Sequence, residues 1–443
     1  MIPVIGFFDL TLATLYLLLI YVGAVVYRNK KIKTNPEYKY FIGALTAKLI
    51  GGVGFAVFSI YYYKGGDTFV FFNAADGLSN YLFTDFGKAI DVYMLAAENF
   101  NPAIHVFAPS YNYILNSVDV LAIVKITSLV NLFGWGSYLV TSILFACLSF
   151  LGLWFGYVSF CRLYIKLKKQ LLFPFFLVPS AILWSSGILK DTVTIGIIGW
   201  MLYAFANLFI FKRKFLFSIF AIVVGSYIMF LLKPYILYVL LPCMLIWIQS
   251  NVRASIKGSF VRALVTPVLI VVFVVSGYFL TQQFSAGAGK YSIGKIEKTL
   301  EGFHSWHSYL ARTRDQSGYT LGEIDFTPVG IFLKSPAALN VTFFRPYLWE
   351  VRNLPTLLGA FEGLILFLMF CYILVKTRLK IISYILKNKE ALFSMLFALV
   401  FGVVVGISSY NFGALSRYKI PAQFFFILSL ILVFFESTKT KTN

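Results

Sequence analysis

The chain has 443 residues, of which 59% are hydrophobic and only 13% charged, with a formal net charge of +20. A soluble domain usually carries about 25% charged residues, so this composition excludes an ordinary water-soluble globular protein. In an apolar chain the excess of Lys and Arg reads as topogenic charge on membrane loops, not as a nucleic-acid surface, and no nucleic-acid partner is expected.

Apolar stretches of roughly 17–25 residues recur along nearly the whole length, each able to cross a hydrocarbon core of about 30 Å as a helix. They lack the alternation of barrel strands, and in lipid every backbone amide must be satisfied internally. In chain order, spans are predicted near residues 5–27, 40–62, 136–160, 171–188, 192–211, 215–232, 234–250, 263–281, 356–375, 391–409 and 420–436. The expected fold is an all-α membrane protein of about 11 transmembrane helices (range about 10–13), with residues 1–443 forming a single polytopic membrane domain. The first residues lack the basic region and small-residue cleavage site of a secretory signal, so the first span is expected to be retained.

Basic loops set the orientation. Arg28–Lys33, Arg162–Lys169, Lys212–Lys214, Arg253–Arg262, Lys376–Lys389 and the Lys439/Lys441 tail all fall on one face, which the positive-inside rule makes cytoplasmic. The N-terminus is then outside and the C-terminus inside, in a multi-pass protein expected in a bacterial inner (cytoplasmic) membrane. Of the 18 acidic residues, Glu37, Glu390 and Glu436 are on the inner side. Asp67, Asp76, Asp85, Asp91, Glu98, Asp119, Asp191, Asp315, Glu323, Asp325 and Glu350 fall at or near the outer face. Either these are ordinary solvated loops or the outer face holds the chemistry.

Two outer segments are long enough to fold. The first, 63–135, contains Leu78-Ser-Asn-Tyr-Leu-Phe83 and Ala89-Ile-Asp-Val-Tyr-Met-Leu95, patterns that suit amphipathic interfacial helices. Within it, 117–133 is apolar but short, carries Asp119 and Lys125, and could be a half-span that changes the parity of the count. The second, 282–355, opens with Ser285-Ala-Gly-Ala-Gly-Lys290, a hinge-like stretch without the full spacing of a phosphate loop.

Candidate chemistry begins at Tyr63-Lys-Gly-Gly-Asp-Thr68, where two glycines allow a tight turn that presents Asp67 as the chain leaves its second span. Asp67 could be a general base toward a hydroxyl, bind a metal, or merely belong to a helix-stopping turn. Pro179-Ser-Ala-Ile-Leu-Trp-Ser-Ser-Gly-Ile-Leu-Lys-Asp-Thr192 is a short span interrupted by Pro and Gly. Such breaks expose backbone groups that need partners. Lys190 could pair locally with Asp191 or hold a phosphate. Lys233, Arg345 and Arg417 lie at outer helix ends, where the positive-inside rule does not account for them. Anion binding is one reason for them, with Arg offering two donors to phosphate oxygens, and snorkelling or pairing with nearby acids is the other. His304 and His307 sit one helical turn apart, but no third ligand of clear spacing accompanies them, and no metal site is assigned. His105 reads as structural. Cys147, Cys161, Cys243 and Cys371 are far apart with no Cys-x-x-Cys pair, so neither a disulfide framework nor a zinc site is expected.

Many spans, an acid in the first large outer loop, the Pro179-Ser…Trp184-Ser…Lys190-Asp191 segment and a late Arg417-Tyr-Lys-x-Pro421 together resemble the GT-C superfamily over about residues 40–421. These are membrane glycosyltransferases that use polyprenyl-phosphate-linked sugars. The resemblance implies transfer of a sugar from such a donor to a hydroxyl of a glycan, lipid or protein acceptor, with membrane lipids as surroundings. It makes Asp67 the catalytic base and Lys190, Lys233, Arg345 and Arg417 the donor-phosphate ligands. Asp191, Glu350, His307 and Tyr418 become substrate or supporting residues. Two departures stand out: Asp67 follows the second span rather than the first, and no Asp-Asp or Asp-x-Asp pair occurs there. A divalent metal could assist but is not required by the sequence. The rival readings are a polysaccharide polymerase or O-antigen-ligase-like enzyme, which would use His307, Arg312 and Arg314 of 282–355, and a lipid or solute transporter.

Overall fold

A computed structural model describes residues 2–94, 117–255, 318–322, 328–378 and 380–439. Among the described residues the secondary structure is helical, apart from one isolated antiparallel bridge between Gly318 and Asn411. Eight helical segments among them are long and apolar enough to cross a membrane, and two shorter apolar helices cover Pro234–Gln249 and Val329–Phe344. The chain divides into two compact units that exchange it several times. Unit 1 holds 1–172, 181–204 and 216–234; unit 2 holds 173–180, 205–215 and 235–443.

Unit 1 contains α1 (Phe7–Ile32), α2 (Phe41–Phe58), α3 (Asp67–Thr84), α4 (Phe86–Met94), α5 (Val118–Gly134) and α6 (Tyr138–Leu163). It also contains most of the short α7 (Pro179–Trp184), of α8 (Lys190–Phe205) and of α9 (Phe215–Leu232). The 26-residue α1 buries only Ala13 and Ala24 and turns Leu15, Leu18, Leu19 and Val22 outward, a surface suited to lipid. By contrast α6 is the core of the unit, with Phe150, Trp154 and Tyr157 enclosed together with Tyr38 and Phe41. Glycines set the closest helix approach. A Cβ on Gly152 would lie 2.0 Å from the Gly196 carbonyl oxygen, and one on Gly199 would lie 2.3 Å from that of Gly152. Small residues at such crossings let backbones touch, the usual device where lipid removes the hydrophobic drive between helices.

Unit 2 contains all but the first residue of α10 (Pro234–Ser255), with α11 (Pro328–Phe344), α12 (Leu354–Lys376), α13 (Ile381–Lys387), α14 (Lys389–Ser408), α15 (Phe412–Tyr418) and α16 (Ile420–Lys439). Here α14 lies along both α11 and α16. Phe343 stacks on Phe426 at 4.2 Å and Phe397 meets Phe425 at 4.5 Å. The α11–α14 crossing again depends on a glycine, since a Cβ on Gly406 would lie 2.3 Å from the Ala338 carbonyl oxygen.

The structure departs from the predicted elements at one place and shows helices at two that the sequence left open. Residues 171–188 are not one helix: a wide π-type turn, Phe173–Leu177, precedes α7, which stops at Trp184. Pro174 and Pro179 each lack an amide donor, which breaks the helical ladder. Within the second outer segment, α11 is a 17-residue helix whose apolar run is interrupted in the sequence by Pro336. The segment 117–133 is a regular helix, α5, with Asp119 and Thr127 buried. The predicted span 263–281 lies outside the described residues.

Candidate functional site

At one end of unit 1, α2 unwinds through a π-type turn, Ser59–Tyr63, and the chain reverses through Lys64 at φ 50° and Gly66 at φ 112°. Positive φ at Gly66 is a conformation other residues resist. This turn makes the exposed Asp67 the first residue of α3, where a carboxylate complements the helix dipole. The start of α3 is held against the start of α6 by a 2.9 Å hydrogen bond between Thr68 Oγ1 and the Tyr138 hydroxyl, and by Phe69 and Phe72 edge-on to the Tyr138 ring. The start of α1 meets the same place, with Ser137 Oγ donating to Asp9 at 2.5 Å. Beyond the far end of α6, Lys168 pairs with Glu37 at 3.0 Å. A 26-residue helix is about 39 Å long. Asp67 therefore sits at the end of unit 1 opposite the basic Arg162–Lys169 segment.

Four carbonyls of the interrupted segment accept side-chain donors. Ser185 Oγ donates to Ala181 O, Ser186 Oγ to Ile182 O at 2.6 Å and Thr192 Oγ1 to Gly187 O at 2.6 Å. Lys48, 1% exposed in the middle of α2, donates its Nζ to Ser185 O at 2.5 Å and to Ser185 Oγ at 2.8 Å. The Pro-Ser…Ser-Ser-Gly pattern is thus a helix break where hydroxyl donors, and the buried Lys48 amine, add to backbone carbonyls, two of which (Ala181 and Gly187) also accept the Ser185 and Leu189 amides. Lys48 was readable in the sequence as a lysine inside a span, which is costly in lipid and functional by default. Its partner was not.

Beyond the break, α8 begins with Lys190 and Asp191, and these adjacent residues take different partners. Lys190 pairs with Asp119 at 2.7 Å, with its ammonium 5.4 Å from the Phe71 ring. Asp191, in the first turn of α8, pairs with Lys233 at 2.5 Å just past the end of α9. Both positions suit the helix dipoles. The second pair is almost fully enclosed, with side chains 7% and 4% exposed. A polar chain also joins three helices: Asn131 donates to Asp76 at 2.9 Å and accepts from Thr141 at 2.9 Å.

In unit 2, Arg345 grips Glu350 through two donors, Nε to Oε2 at 3.0 Å and Nη2 to Oε1, and the Tyr347 amide adds a bond to Oε2 at 2.8 Å. The guanidinium lies 5.5–5.7 Å from the rings of Tyr319, Tyr347 and Phe412. Burial opposes the Glu350 charge, but the Arg345 and Tyr347 hydrogen bonds and the Arg345 charge hold its carboxyl below the usual range. Phe412 opens α15, whose sixth and seventh residues are Arg417 and Tyr418. Lys419 follows, 1% exposed, with no hydrogen-bond acceptor for its Nζ among the described residues. Burial pushes its pKa down while the nearby Glu362 charge opposes the shift. Glu362 itself accepts from the Ser180 amide and from Gln423 Nε2 at 3.3 Å. Glu362 and Lys419 were missed; a carboxylate inside the predicted span 356–375 and the lysine of the Arg-Tyr-Lys motif were the available signals.

The predicted residues thus fall into three groups. Lys190, Lys233 and Asp191 belong to ion pairs of unit 1, whose Asp67 stands at the exposed start of α3. Arg345 and Glu350 pair with each other, and Arg417 and Tyr418 share the neighbouring short helix of unit 2. His307 lies outside the described residues. Among the described residues no three His, Cys, Asp or Glu side chains gather as a metal-ligand set.

These features define a multi-pass, all-helical membrane protein. The chain matches no known family, no curated protein and no solved structure.

Proposed function

We propose that the protein is a membrane glycosyltransferase that moves a sugar from a polyprenyl-phosphate-linked donor to an acceptor hydroxyl at the outer face of a bacterial inner membrane. Asp67 is the proposed base. The observation that supports this reading is its placement: an exposed carboxylate at a glycine-made turn, at the end of α6 opposite the basic Arg162–Lys169 segment. Under the positive-inside rule that end is the outer one, with the N-terminus outside and the C-terminus inside.

In the proposed step Asp67 takes the proton of the acceptor hydroxyl as its oxygen attacks the anomeric carbon. The bond from that carbon to the phosphate oxygen breaks, and its electron pair leaves with the polyprenyl phosphate. Negative charge grows on the leaving group, so cations aimed at it lower the barrier. That role is proposed for Lys190 and Lys233, where phosphate would exchange for Asp119 and Asp191. It is proposed separately for Arg345 and Arg417.

The test is transfer of labelled hexose from a synthetic polyprenyl-phosphate hexose by purified protein in proteoliposomes, with a lipid and glycan extract as acceptor. Asp67→Asn is expected to lower the rate about 10²–10⁴-fold. Full activity in that variant overturns the base assignment. Loss confined to His307→Ala favours a polymerase or ligase, and lipid or solute movement without sugar transfer favours a transporter.

A further inference from the structure

A second feature stands apart from these residues. The membrane-length segments Lys190–Ile210 and Phe215–Leu232 are joined by only four residues, Phe211-Lys-Arg-Lys214. A connection that short holds three consecutive cations at the level where the apolar helices end. The last turn of the first segment, Ala206–Ile210, is a π-type turn, a form often found at functional sites.

Its shape is imposed rather than relaxed. Lys212 and Lys214 both have left-handed backbone, at φ 49° and 53°, which costs a residue with a Cβ of the order of 1 kcal/mol or more. The fully buried Asn207 holds the conformation in place. It accepts from the Arg213 amide on its carbonyl oxygen at 2.9 Å, and from Arg213 Nε on Oδ1 at 2.9 Å. The Phe211 ring lies 4.9 Å from the guanidinium, so the plane of the Arg213 head is set on two sides.

Beside this loop is a groove of about 320 Å³ lined by Leu208, Phe209, Lys212, Arg213 and Phe215. Among the described residues its wall offers two positive side chains and three large apolar ones. Phe215 is 62% exposed, and Lys212 and Arg213 are exposed beside it. Cations next to apolar walls at a helix end match a phosphodiester whose acyl chains run alongside the helices. We infer that this groove binds the headgroup of an anionic glycerophospholipid. The apolar lining decides for a lipid over free phosphate, because a small anion has no use for three hydrophobic side chains.

The experiment is native mass spectrometry of the full-length protein with phosphatidylglycerol, phosphatidylcholine and inorganic phosphate as probes. Retention of phosphatidylglycerol over phosphatidylcholine is expected. Lys212→Gln/Arg213→Gln is expected to weaken it about 30-fold, at about five-fold per charge near a membrane surface. Asn207→Ala keeps every charge but releases Arg213, and is expected to lose several-fold. Lys166→Gln/Lys169→Gln removes the same charge elsewhere and is expected to leave retention intact. Equal loss in that control, wild-type retention in Asn207→Ala, or displacement of the lipid by millimolar phosphate would each overturn the assignment.

Discussion

Lys48 reaches from the middle of α2 to the backbone carbonyl and hydroxyl of Ser185, at 2.5 and 2.8 Å, and so caps a helix that ends inside the bundle of unit 1. An N–H donor at a helix C-terminus satisfies a carbonyl that has no amide of its own helix to meet and no water in the bundle. Lys48→Met is expected to cost about 1–3 kcal/mol, the penalty of an unmade buried hydrogen bond. Thermal unfolding of the purified protein in detergent measures it; a wild-type midpoint would show that the bond contributes nothing.

The Lys233–Asp191 pair is enclosed, so removing one partner strands a charge. Asp191→Asn is expected to destabilise by about 3–5 kcal/mol, and adding Lys233→Met to it should recover much of the loss. A double-mutant cycle with additive effects would deny the coupling.

The α6–α8 crossing has no room for a side chain at Gly152. Gly152→Ala is expected to force the backbones apart at a cost of about 1–3 kcal/mol. A methyl group added at Gly23 in α1 would meet no atom within 4 Å, so Gly23→Ala is expected to be neutral or to stabilise by up to about 1 kcal/mol through helix propensity. Comparing the two unfolding midpoints separates packing from propensity. Similar shifts in both variants would mean that the close approach is not needed.

Glu350 gives unit 2 a pH dependence. Its carboxyl is held below the usual range, so it contributes stability that is fully present above the unfolded-state value, about 4.3, and is lost as pH falls through the folded-state value. Unfolding midpoints between about pH 7 and pH 3 are expected to fall more steeply on the acid side for wild type than for Glu350→Gln. Identical acid limbs in the two proteins would contradict the Arg345–Glu350 geometry.

Much of the architecture was readable from run length and charge. The spans near 5–27, 40–62, 136–160, 192–211, 215–232, 356–375, 391–409 and 420–436 each correspond to a membrane-length helix, because an unbroken apolar run in lipid has no other way to satisfy its amides. The run at 171–188 failed as a single span because Pro174 and Pro179, set among large apolar residues, each remove an amide donor and break the ladder. Within the second outer segment, α11 continues through Pro336 as a 17-residue helix that the sequence reading did not place. Among the candidate residues of the two units, Asp67, Lys190 and Lys233 in the one and Arg345 and Arg417 in the other stood out as charges at helix ends, whereas Lys48 and Glu362 had only their presence inside a span to mark them.

Hydrophobicity and charge along the chain therefore determined that this is a helical membrane protein, and where its charged groups interrupt or end the helices. Tertiary structure alone decided whom those groups meet. Lys190 passes over its neighbour Asp191 for Asp119, 71 residues away, and Asp191 takes Lys233, 42 residues away. Sequence adjacency puts successive residues on different faces of a helix, about 100° apart. Which face meets which neighbour depends on how the helices stack, and at Gly152 and Gly51 that stacking is set by backbone approaching backbone.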